Sequence, residues 1–66
     1  MAYQQTFLIQ YLDDQGHELY QLYRNYVGTA EGLRSMILDE IERGEHPPRV
    51  VGAIVVQTSG LPAKHN

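Results

Sequence analysis

The chain has 66 residues, eight Asp or Glu against five Lys or Arg, a formal charge of -3 and no cysteine. That length allows one domain with a small core, and the missing cysteines exclude disulfide staples, thiolate metal sites and thiol chemistry. The basic residues Arg24, Arg34, Arg43, Arg49 and Lys64 are scattered, which disfavours direct nucleic-acid binding, since that normally needs a basic patch to displace counterions.

Residues 3–12 read as a first strand. Tyr3, Gln5, Phe7, Ile9 and Tyr11 fall on one side and Gln4, Thr6, Leu8, Gln10 and Leu12 on the other, with the first, more apolar set expected to face the core. Asp13-Asp14-Gln15-Gly16 supplies turn chemistry, because Asp can bond nearby backbone amides and Gly accepts positive φ. A hairpin follows from this.

Residues 17–27 carry two periodicities. Leu19, Leu22, Tyr23 and Tyr26 have helical spacing, while strand alternation puts Tyr20, Leu22 and Tyr26 on one side with Arg24 among them. Three tyrosines, a valine and an asparagine in eleven residues are poor helix formers, so the strand is preferred. A helix here would instead give a β-α-α-β order.

Gly28 interrupts the pattern, and Thr29 is positioned to cap a helix over 30–43. Ala30, Leu33, Ile37 and Ile41 form its buried stripe. Asp39 and Arg43 are placed for an i,i+4 pair, Gly44 suits the C-terminal turn, and Pro47-Pro48 prevents continuation. Residues 49–58 are the most apolar run and are rich in β-branched residues, hence a strand. Its alternation separates Val51, Ala53 and Val55 from Val50, Gly52, Ile54 and Val56, and both sides are apolar.

The order β-β-α-β predicts a small single α+β domain over 1–58: a three-stranded antiparallel sheet with the first strand central and one helix packed on one face. Residues 59–66 read as a flexible C-terminal tail. No apolar run approaches a membrane span and no signal-peptide pattern is present, so the expectation is a cytoplasmic protein without a membrane role.

Four groups of residues are candidates for function. Asp13, Asp14 and His17 bring carboxylates close to an imidazole, the ingredients of acid–base chemistry. No nucleophile or phosphate-binding motif accompanies them, and a polar turn is the ordinary reading. His17, His46 and His65 have no metal-ligand spacing, so neither metal nor cofactor is expected. Glu31, Asp39, Glu40, Glu42 and Glu45 suggest an acidic helix surface for a basic partner, extended by Leu38. Finally, one helix leaves a sheet face bare, on which Leu8, Leu12, Tyr20 and Tyr26 are expected to form a contact surface.

The sequence therefore favours a non-enzymatic protein-binding module. Size, acidity and missing catalytic motifs suggest an inhibitor or modulator of phage or plasmid type, anti-CRISPR-like, acting on a host nucleic-acid-handling complex. The alternatives are a homo-oligomeric structural or regulatory subunit, such as a homodimer, and a small enzyme built on Asp13, Asp14 and His17.

Overall fold

A computed structural model describes residues 4–58; the expected tail, His65 and the strand position of Tyr3 lie outside them. Three strands and one helix run in the order β1 (Gln5–Leu12), β2 (Glu18–Tyr26), α1 (Ala30–Glu42) and β3 (Gly52–Gln57). The sheet order is β2-β1-β3, with both outer strands antiparallel to β1. The fold is the predicted α+β sheet with one helix packed on it. No helix among the described residues is long and apolar enough to cross a membrane.

The hairpin forms as its turn chemistry dictates. Asp13 Oδ1 accepts the amides of Gln15 and His17, at 2.9 and 2.8 Å, and Gly16 takes a φ of 83°. Of the ambiguous segment, Glu18–Tyr26 forms a strand, because pairing with β1 partly buries Tyr20, Arg24 and Tyr26 on one side of an alternating pattern. Phe7, Ile9 and Tyr11 stand opposite Arg24, Leu22 and Tyr20 on the helix side, with a register shift at Tyr11/Leu12.

The core consists of Phe7, Ile9, Tyr11, Leu33, Ile37, Val50 and Ala53. Leu33 and Ile37 come from the predicted stripe, and Ala30 and Ile41 are partly buried beside them. Thr29 caps the helix by accepting the Gly32 amide at 3.0 Å, and Gly44 follows with a φ of 78°. The expected Asp39–Arg43 side-chain pair is replaced: Arg43 Nε donates to Glu45 Oε2 at 2.7 Å, a partner the post-helical turn brings nearer.

One alternation fails. Val50 is buried and Val51 exposed, the reverse of their expected association with the strand's two sides. The cause is a turn in which the Val50 amide donates to the Pro47 carbonyl at 2.9 Å, so regular β3 begins only at Gly52.

Tyr26 ties the end of β2 to the start of the helix. Its ring meets Phe7 edge to face at 6.2 Å and lies against Gly28, where a Cβ would fall 2.6 Å from the ring; a Cβ on Gly32 would sit 3.2 Å from its hydroxyl. Gly28 also has a φ of 148°. Gly28→Ala is therefore expected to lower unfolding free energy by about 1–3 kcal/mol through backbone strain and collision. Urea denaturation checks this, and an unchanged midpoint would mean that the Tyr26 ring is free to move aside.

Candidate functional site

The helix divides the sheet into unlike faces. On its side lie the core and a polar cluster; on the other, the cross-strand registers bring Leu8 between Tyr23 and Val56, with Gln10 between Gln21 and Ile54. Tyr23 is 70 % exposed, Ile54 45 % and Val56 49 %, while Leu8 and Leu12 are half-buried. Neighbouring Thr6 and Asn25 join through a 2.8 Å hydrogen bond. Glu18 accepts side-chain bonds from Gln10 at 2.8 Å and Gln21 at 3.0 Å, and these lower its carboxyl pKa. Apolar side chains side by side, bordered by amides and hydroxyls, are the composition of a protein contact surface.

The structure redistributes the tyrosines expected on this face. Tyr20 and Tyr26 lie on the helix side, opposite Tyr11 and Gln5, and pack against the core. Tyr23 takes the open position. The physical reason is parity: residues 20, 22, 24 and 26 share one side of β2, and hydrogen bonding to β1 turns that side towards the helix.

The acidic helix surface also changes. Glu31, Asp39, Glu42 and Glu45 are exposed and Leu38 is half-buried, but Glu40 is buried at 8 % exposure. Glu40 lies one helical step from Ile37 on the buried stripe and meets a cation there. Arg24 Nη1 and Nη2 donate to its two oxygens at 3.0 and 2.8 Å, and His46 Nε2 lies 2.9 Å from Oε1. An ionised carboxylate only accepts, so Nε2 of His46 carries the proton. Tyr11 stacks obliquely between Tyr20 at 5.0 Å and His46 at 5.2 Å.

Chiefly through the Arg24 bonds, and further through His46, the Glu40 carboxyl is lowered from 4.5 to about 2. Glu40 in turn raises Arg24, and burial raises the Tyr11 hydroxyl. This cluster joins β2, the helix and the loop after it around one carboxylate. The sequence reading missed it, although two signals were present: an arginine among apolar residues on one side of β2, and a glutamate seven positions after Leu33 on the core stripe.

At the hairpin, the Asp13 carboxylate is used by the turn, and the backbone amide of His17 is the main cause of its lowered pKa. His17 Nδ1 is 4.0 Å from Asp13 Oδ2, and its side chain is 77 % exposed. A shallow concavity of about 250 Å³ lies beside the turn, lined by Asp13, Asp14, Gln15, Pro48, Arg49 and Val51. His17 is not among its walls, so the structure does not bring the three candidate acid–base residues around one space. Among the described residues, no three His, Asp or Glu side chains gather as metal ligands.

No family model, curated protein or solved structure matches the chain.

The Glu40 cluster makes stability depend on acid. A carboxyl depressed in the folded state stabilises fully above its unfolded pKa of 4.5 and loses that contribution as pH falls towards 2. Glu40→Gln should lower neutral-pH stability by about 3 kcal/mol, by leaving Arg24 without its counter-charge, and flatten the stability curve across that window. Denaturant titrations at several pH values measure both effects. A variant with the full acid limb retained would assign the limb to Asp13 and Glu18, the other lowered carboxyls.

Proposed function

We propose that this chain is a non-enzymatic, cytoplasmic protein-binding module that meets its partner through the open face of the sheet, around Leu8, Tyr23, Ile54 and Val56. The observation that carries this reading is the concentration of apolar area on a face whose one carboxylate, Glu18, is already bonded by two glutamines. Single exposed apolar residues are ordinary on a protein surface, whereas neighbouring ones from three strands bury together on contact. Tyr23 adds a large ring with a polar tip, suited to an interface that must also tolerate water.

The finer reading is an inhibitor or modulator of phage or plasmid type, anti-CRISPR-like, acting on a host nucleic-acid-handling complex. It is supported by the small size and the charge of -3. Exposed Glu31, Asp39 and Glu42 give the helix side a negative field, which would steer the module towards a basic, nucleic-acid-binding protein. Affinity would come from the sheet and approach from the helix.

Capture from nuclease-treated source lysate, compared across variants, separates these roles. Ile54→Glu with Val56→Glu should reduce recovery of the captured partner by roughly tenfold or more, through burial of unpaired charge. Asp39→Lys with Glu42→Lys should chiefly slow association and weaken its salt dependence. Undiminished capture by the sheet variant would remove the open face from the function.

A further inference from the structure

The two edges of the sheet are treated differently. The Thr58 amide donates to Thr6 O at 2.9 Å, so Thr6 directs its backbone groups to β3, and by alternation Phe7, Ile9 and Tyr11 direct theirs to β2. On β2 their partners Arg24, Leu22 and Tyr20 therefore point inward, leaving the backbone groups of Gln21, Tyr23 and Asn25 pointing away from the sheet. On β3 the same alternation turns Ala53 outward, and there Arg34 Nε donates to the Ala53 carbonyl at 2.8 Å. The helix thus sends a side chain onto the edge of the six-residue strand. Among the described residues the nine-residue β2 has no such cover: Gln21, Leu22 and Tyr23 are all exposed, and the helix lies nearest β3.

We propose that β2 pairs antiparallel with β2 of a second copy across a two-fold axis, joining two three-stranded sheets into one of six strands. A long exposed edge with free backbone donors and acceptors is a template for another strand, and three features favour this same strand as the occupant. The chain carries a charge of -3, yet β2 contains one acid and one base, Glu18 and Arg24, so the edge is where two acidic copies can approach without net repulsion. With the axis at Leu22, Gln21 and Tyr23 of one copy exchange backbone hydrogen bonds with Tyr23 and Gln21 of the other. In that register Arg24 faces the second copy's Tyr20, while Glu18, which the register shift beside it turns to the open face, lies towards the end of the strand on the side away from Arg24, so no like charges are opposed. Leu22, 53 % exposed on the helix side where the helix leaves it bare, meets the second Leu22 at the axis and is covered.

This edge pairing is independent of the open-face reading and uses different side chains. The test is molar mass by light scattering over a concentration series, together with amide hydrogen exchange. The full chain should approach twice its 7.5 kDa mass, with the amides of Gln21, Tyr23 and Asn25 exchanging roughly tenfold or more slowly in the concentrated sample than in the dilute one. Gln21→Pro removes an outward N–H that an edge strand can spare, and Leu22→Arg sets two like charges at the axis; both should return the mass to that of the monomer. Ile54→Glu with Val56→Glu should leave the dimer intact. Circular dichroism confirms folding of each variant, and the exchange experiment decides the matter without any substitution. A full chain that stays monomeric at its solubility limit overturns the proposal, as does a dimer that survives both edge variants or one whose three β2 amides remain unprotected. Loss of the dimer only in the Ile54/Val56 variant would instead place self-association on the open face, again overturning edge pairing.

Discussion

The two-pronged contact between Arg24 and Glu40 is the constraint around which this small domain is arranged. A charge placed on the inner side of a strand, in a chain with so little core, demands a counter-charge at fixed distance and angle. The helix supplies it from its own inward stripe. The pair also interrupts the apolar stripe of the helix, because a site that a hydrophobic residue would fill is held by a carboxylate. His46 then closes the remaining side and draws the loop after the helix onto Tyr11. Replacing the whole group by hydrocarbon could give equal stability, but the present arrangement accepts one relative placement of strand and helix.

Keeping these polar groups on the helix side has a consequence for the opposite face. Arg24 and Glu40 are occupied with each other, the turn uses Asp13, and the amides of Gln10 and Gln21 hold Glu18. The outer surface of the sheet is left with apolar side chains and neutral polar ones. What such a surface offers is contact area. Glu31, Asp39 and Glu42, exposed to water, sit on the helix, on the side opposite the apolar residues of the open face.

Much of the architecture was legible in the sequence because its signals are local. The Asp-rich turn, the Thr29 cap, Gly44 and the prolines each act within a few residues, and the alternation of Phe7, Ile9 and Tyr11 fixes the inner side of the central strand. What escaped was non-local. Tyr20 and Tyr26 could be recognised as sharing one side of β2, but the direction of that side depends on a register with β1. Glu40 looked like one more acid in an acidic run, and only the arrival of Arg24 from sixteen positions earlier in the chain explains its burial. Val50 and Val51 exchanged surroundings because a backbone turn, rather than side-chain pattern, decides where β3 begins.

The Arg34 guanidinium on the Ala53 carbonyl bears on how far any assembly of this chain could grow. A sheet with two receptive edges adds subunits without limit and becomes a ribbon. Here an arginine obstructs the outer side of the shorter strand, while the longer one stays bare among the described residues. Strand addition at β2 alone gives a closed object, since two identical edges satisfy each other about an axis and leave obstructed ones at both ends. One hydrogen bond from a helix thus helps separate a finite assembly from a filament.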